Sequence, residues 1–233
     1  MANEKNKTRS RWWVLLKRLL LWMFIGQLVY IVLCKWLNPP VTITQLVSFI
    51  EGNGLKRDYL SYDEMGPNIK LAVMASEDQL FPEHEGFDTT AIKKAIEYNK
   101  THKRKRGAST ISQQTAKNVF LWQHGGYFRK GLEVYFTFMI EKIWSKKRVL
   151  GTYLNVAEMG RGIFGVQAAA KEYFNKDAKE LTRQEAAMIA ACLPNPKKYT
   201  VKPVSRYVSV RASKIMRQMN FLDDVPEVTE LLK

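Results

Sequence analysis

Cysteine is nearly absent: Cys34 and Cys192 are the only two in 233 residues, too few for a disulfide scaffold or a Cys-rich metal site. The three histidines, His84, His102 and His124, show no H-E-x-x-H or other metal-ligand spacing, so zinc chemistry drops out. No Ser-x-x-Lys occurs anywhere, which excludes a penicillin-sensitive serine transpeptidase. Alternating apolar runs long enough to build a sheet are missing, and no internal repeat is visible. Acidic residues are scarce against basic ones, 22 Asp+Glu against 37 Lys+Arg, a net charge of +15. That balance favours nucleic acid, anionic lipid or a phosphorylated substrate, and charge alone does not choose among them. What is present is ordinary for a folded chain: 46% hydrophobic and 25% charged residues, enough for one domain with a real core plus an appendage.

The appendage is N-terminal. A basic start (Lys5, Lys7, Arg9, Arg11) precedes an apolar stretch from Trp12 to Leu37, free of charge from Leu19 to Cys34. Arg18 and Lys35 can snorkel, and Trp12, Trp13, Trp22 and Trp36 suit membrane interfaces. The stretch exceeds the roughly 7–15 apolar residues of a secretory signal and has no small-residue cleavage site. Residues 12–37 are therefore expected to be a single transmembrane helix, with 1–11 a cytoplasmic basic tail. By the positive-inside rule the rest lies on the outer face of a bacterial inner membrane, which removes nucleic acid as the partner.

Beyond it, 38–66 is expected as a membrane-proximal linker, 67–222 as a mainly α domain without an internal boundary, and 223–233 as a C-terminal tail. Residues 41–50 fit either a short strand or an amphipathic helix against the membrane. From Pro67 onward the apolar spacing is helical, with start signals at Pro67, Asp88-Thr89, Ser109-Thr110 and Thr182 with Glu185. Residues 127–159 read as one long helical region bent near Ser145. Helices follow near 165–174, 182–193 and 203–222. The sequence Gly160-Arg161-Gly162-Ile163-Phe164-Gly165 matches G-x-G-x-x-G, but with a helix before it and no parallel sheet after it, it reads as a helix-to-helix turn.

Two segments carry chemistry. Glu77 and Asp78 end an otherwise apolar helix, where a partly buried acid can have its pKa raised toward acid or base duty; a plain polar helix end has the same spacing. The basic run 103–106 and Gly107 lead into a helix whose free N–H groups favour an anion. In that helix Ser112, Gln113, Gln114, Lys117 and Asn118 put polarity on too many sides for solvation alone to explain. Further on, Arg129 and Glu133 have the spacing of an ordinary surface ion pair.

In this order, EDQLFPEHEGFD, GASTISQQTAKN, RKGLE, KKRVLGTYLN and GVQAAAKEYF…LTRQEAAMIAACLPNP resemble the peptidoglycan glycosyltransferases, glycosyltransferase family 51, whose members polymerise lipid II on a lysozyme-like fold. The resemblance spans Glu77 to Pro196 and, lacking a transpeptidase motif, points to the monofunctional form. It implies β-1,4-linked glycan strands built with release of undecaprenyl pyrophosphate by inverting displacement, Glu77 being the general base. It implies a second acidic position at Glu133, as metal contact, orienting group or electrostatic partner. Lys117, Arg129 and Lys130 would hold phosphates; Ser109, Gln114 and Asn118 would line the cleft. Asp78, His84 and Phe81 join the substrate-binding set, Asp78 and His84 in a mainly structural or orienting part. A divalent cation, Mg or Mn, is a candidate cofactor with Glu133 its candidate ligand; no organic cofactor is implied. The implied partners are lipid II, the nascent glycan chain and the bilayer, with cell-division or penicillin-binding proteins as candidates. Gly151 stands where many members have Glu, and Ala108 where a second Gly is common. Residues 120–122 and 127–128 offer apolar patches to the outer leaflet.

Two rivals remain. A membrane-bound lytic muramidase of the same fold would use Glu77 as an acid, but has no need for three cations in one cleft. A non-catalytic basic scaffold for cell-wall enzymes predicts that Glu77 is dispensable.

Overall fold

A computed structural model describes residues 2–103 and 105–233, the side chains of 2–11 apart. The side chains of Lys5, Lys7, Arg9 and Arg11 of the expected basic tail, and Arg104 of the basic run, thus lie outside what is described. The chain divides into two units, residues 1–38 and 39–233.

The first unit is one helix, α1 (Ala2–Leu33). Its Trp12–Leu33 part has 22 residues and mean hydropathy 1.7, about 33 Å at the helical rise and enough to cross a bilayer. The helix stops at Leu33, four residues short of the expected span, and Cys34 to Trp36 form a turn.

The second unit begins earlier and ends later than the sequence suggests. Residues 43–50 settle as helix α2 (Ile43–Ile50), started by a capping box between Thr42 and Gln45. Its burial is inverted: Gln45 and Ser48 are buried, while Leu46, Phe49 and Ile50 are exposed. Gln45 donates to the Tyr59 hydroxyl at 2.9 Å and Ser48 to the Gly54 carbonyl at 3.0 Å, so the polar side faces protein. Asn155 pins the following segment by bonding both the N–H and the C=O of Leu60, at 3.0 and 2.9 Å. The expected linker is thus part of the folded body. β1 (Lys56–Arg57) follows.

α3 (Pro67–Glu77) starts on Pro67, whose missing N–H costs nothing there, and buries seven successive residues, Ile69 to Ala75. Such a helix can only run through a core. α4 (Thr89–Thr101), capped by Asp88, buries none of its residues. α5 (Ile111–Phe120) is capped by Thr110 with Gln113 reaching back. The long helical region is two helices, α6 (Tyr127–Ile143) and α7 (Lys146–Val156): Trp144 and Ser145 turn extended, and the Ser145 hydroxyl accepts from the Arg148 N–H to start the second.

The glycine-rich segment is a hairpin. β2 (Glu158–Gly160) pairs antiparallel with β3 (Ile163–Phe164), which pairs parallel with β1, in the order β1-β3-β2. Gly162 has φ +68, and a Cβ there would meet the Asn53 carbonyl oxygen at 2.1 Å. The glycines serve tight backbone approach and hold no dinucleotide.

α8 (Val166–Phe174), a 3-10 turn (Ala178–Glu180), α9 (Arg183–Cys192), α10 (Arg206–Leu222) and α11 (Pro226–Leu232) complete the chain. α11 is no tail: Val228 and Leu231 are buried and the Tyr62 hydroxyl donates to the Leu231 carbonyl at 2.5 Å. Gly151 lies deep in α7, where a Cβ would stand 3.0 Å from Tyr62, a close contact and not a bend. α3 packs with α9, α10 and α11; α5 packs with α6, α7 and α2. The candidate site lies where these two groups face each other.

Candidate active site

Glu77 is the last residue of α3, and the buried run before it delivers the carboxylate to the edge of the core. Gln114 of α5 donates Nε2 to Glu77 Oε2 at 2.9 Å, and the Ser76 hydroxyl lies 3.3 Å from Oε1. Burial raises the Glu77 pKa; the two hydrogen bonds and Arg211 of α10 pull it down, and Asp78 adds to the rise. Burial prevails. Arg211 also donates to the Ser76 carbonyl at 3.2 Å.

Asp78 turns away from this chemistry. Its oxygens accept from His84 Nε2 at 2.9 and 3.0 Å and from the Ile111 N–H at 2.9 Å. Gly86 N–H donates to His84 Nδ1 at 3.1 Å, which leaves Nε2 as the protonated nitrogen. The pair clamps the end of α3 to the start of α5. Phe81, expected in the substrate-binding set, is 0% exposed, sealed beneath the Lys146 ammonium at 4.7 Å and edge-on to His84. An apolar ring between two capped helices completes the core first.

Two cavities lie on either side of Gln114, and Glu77 lines one of them. One of about 580 Å³ is lined by Ser76, Glu77, Asp78, Ser109 and Gln218. The other, about 610 Å³, is lined by Lys117, Asn118, Trp122, Gln123, Tyr153 and Lys197. They share Gln114 and Pro194. Asn118 accepts from Gln123 at 2.9 Å. Lys117 is partly buried, and its pKa falls chiefly through desolvation, with Arg129 and Lys130 adding to the fall. Its ammonium makes no hydrogen bond or ion pair with any described residue.

Arg129, Lys130 and Glu133 form a separate cluster on α6. Arg129 donates Nη1 to Glu133 Oε2 at 2.7 Å and Lys130 engages Oε1. Glu133 is 3% exposed, so the expected surface pair is a buried one, where loss of a partner costs far more. The buried Nε of Arg129 has no partner among the described residues. This donor set does not fit a resident divalent ion: both Glu133 oxygens are held by cations, and no three His, Cys, Asp or Glu residues converge among the described ones.

Motif spacing alone missed Tyr153, Arg211 and Gln218. Tyr153 sits inside KKRVLGTYLN, where nothing distinguishes it chemically. Arg211 shares α10 with Arg206, Lys214 and Arg217, and only the fold singles it out.

Residues 43–220 match the family described as Transglycosylase. The chain is 44% identical over 220 residues to a protein of Bdellovibrio bacteriovorus, covering 91% of this chain and 88% of the relative. It is 46% identical over 213 residues to one of Pseudomonas entomophila, covering 89% and 90%. Against one of Mannheimia succiniciproducens it is 56% identical over 165 residues, covering 71% and 68%. All three are named biosynthetic peptidoglycan transglycosylase. The mainly helical body, with its small sheet and buried α3 ending on Glu77, is that family's lysozyme-like fold, and the chain belongs to the transglycosylase family.

Proposed function

We propose that the chain polymerises lipid II into β-1,4-linked glycan strands at a bacterial inner membrane, releasing undecaprenyl pyrophosphate. One observation carries this reading. Glu77 lines one cavity, and a second that shares Gln114 with it offers Lys117, a cation whose ammonium has no partner of its own among the described residues.

The acceptor sugar occupies the Glu77 side. Its 4-hydroxyl oxygen forms the new bond to the donor's anomeric carbon as the bond to pyrophosphate breaks, and the hydroxyl proton passes to the Glu77 carboxylate. A raised pKa makes that carboxylate a stronger base for the acceptor's proton. Negative charge grows on the leaving pyrophosphate, where Lys117 meets it, with Arg129 and Lys130 beside it. Glu133 keeps the last two side chains aimed and acts as an electrostatic partner. A lytic enzyme acting on neutral glycan leaves this cationic set unexplained.

The substrate's lipid explains the surface. α1 suits a single-pass anchor, and the inverted α2 presents Phe49 and Ile50, 63% and 73% exposed. On α6, Tyr127 and Phe128 are exposed as well, whereas Leu121 is buried core. Such an apolar surface fits an outer leaflet that supplies lipid II.

Labelled lipid II incubated with detergent-solubilised protein tests the reading. Wild type yields polymer that muramidase digests, and Glu77→Gln yields none while still binding lipid II. Polymer from Glu77→Gln at near wild-type rate, or degradation of preformed glycan beside intact lipid II, overturns it.

A further inference from the structure

Tyr153 is 1% exposed and lies on α7, a helix that contributes no expected site residue. Its hydroxyl donates to Gln114 Oε1 at 3.1 Å. The other end of the same amide, Nε2, donates to Glu77 Oε2 at 2.9 Å. Tyr153, Gln114 and Glu77 thus form a chain of two hydrogen bonds running from the interior to the cleft.

An amide is by itself indifferent to the state of a neighbouring carboxyl group. Turned one way it donates N–H to a carboxylate; turned the other way its carbonyl accepts from a carboxylic acid. Tyr153 removes the indifference. With Oε1 toward Tyr153, the phenolic O–H is satisfied. With the amide reversed, Nε2 would donate to the phenol oxygen and the phenolic proton would lose its protein acceptor, since the Tyr153 hydroxyl makes no other hydrogen bond among the described residues. Burial and the nearby Glu77 hold the Tyr153 pKa well above its ordinary value, so the proton stays on the ring oxygen.

We propose that Tyr153 is a positioning residue for the reaction: acting through the Gln114 amide, its hydroxyl keeps a hydrogen-bond donor facing Glu77 and so favours the carboxylate that takes the acceptor's proton. The inference rests on Glu77 being the base. It differs from general structural support, because it acts through one atom and on one protonation state.

The other groups facing Glu77 are Asp78 beside it, Lys117 of α5, Cys192 of α9 and Arg211 of α10. Cys192 is pushed up to about 12 by burial and stays neutral. Gln114 bonds Glu77 and not Asp78, so a shift of the acid limb of kcat/KM that passes through Gln114 reports Glu77.

The experiment measures kcat/KM against pH, with thermal melts, for wild type, Tyr153→Phe, Gln114→Ala and the double variant. In folded Tyr153→Phe the acid limb moves to higher pH by about one unit, with kcat/KM about tenfold lower on that limb. In the Gln114→Ala background the same substitution shifts nothing, as a residue acting through Gln114 requires. An unmoved limb in folded Tyr153→Phe, or equal shifts in both backgrounds, overturns the proposal. Should Tyr153→Phe not fold, 3-fluorotyrosine at position 153, a stronger donor of nearly the same shape, moves the limb to lower pH; no movement overturns it. Active Glu77→Gln refutes the base assignment itself, whereas inactive Glu77→Gln with an unmoved Tyr153→Phe limb refutes only the relay.

Discussion

Glu77 and Glu133 are both carboxylates on helices of the folded body, and their surroundings are opposite. Glu77 is held by an amide and a hydroxyl, neutral donors that leave it room to accept a proton. Glu133 gives one oxygen to a guanidinium and the other to an ammonium, and has no oxygen left for a substrate hydroxyl. The company a carboxylate keeps thus decides whether it does chemistry or holds up the groups that do. The same contrast divides the cations: Lys117 stands unpaired among the described residues and faces a cavity, while Arg129 and Lys130 are tied to Glu133.

The contrast breaks hardest at Glu77. Glu77→Gln lowers polymerisation about 10³-fold yet keeps the fold. Its effect on stability has a definite sign. Because the folded-state pKa is raised, wild type has the full contribution of this group below the unfolded pKa and loses it as pH rises through the folded pKa. Melting temperatures compared at pH 8 and pH 4 therefore show the Gln variant the more stable at pH 8, with the gap closing at pH 4. A constant gap would mean that Glu77 is not the titrating group. Lys117→Ala follows, with polymerisation down about 10²-fold and an unchanged melting temperature; a matching fall in both would make Lys117 structural. Glu133→Gln reverses that pattern: calorimetry shows a loss of about 3 kcal/mol, with a rate about tenfold lower because Arg129 and Lys130 lose their common anchor. An unchanged melting temperature would return Arg129–Glu133 to the class of weak surface pairs. Smallest is Phe81→Leu, expected to cost about 1.5 kcal/mol of stability with KM for lipid II unaltered; a raised KM would return the ring to the substrate.

Helix starts were legible because a cap is written within four residues: Asp88, Thr110 with Gln113, and Thr182 with Glu185 all cap where their spacing says. At Trp144-Ser145 a bend was legible but the full break into two helices was not, because Leu132, Phe136, Met139, Ile143 and Leu150 keep helical spacing across it while both helices pack on α5. Strands of two or three residues are too short to alternate, which hid the hairpin at 158–164. The end segment concealed its burial because Leu231 meets Tyr62 only in the fold, 169 residues away. For the site, Glu77, Gln114 and Lys117 sit in local patterns whose chemistry can be read. Tyr153 and Arg211 act across 39 and 135 residues, and a partner at that distance leaves no periodic trace.

The length of α1 bears on kinetics as well as location. An anchored catalyst and a lipid-linked substrate meet within a plane, so the encounter is governed by molecules per unit of surface and not by molecules per litre. Adding buffer to a suspension of vesicles carrying both should leave the turnover on each vesicle unchanged, whereas adding inert lipid to the same vesicles should slow it. A version of the protein released from its 22-residue span would have to find each substrate from the bulk, and its rate would fall with dilution.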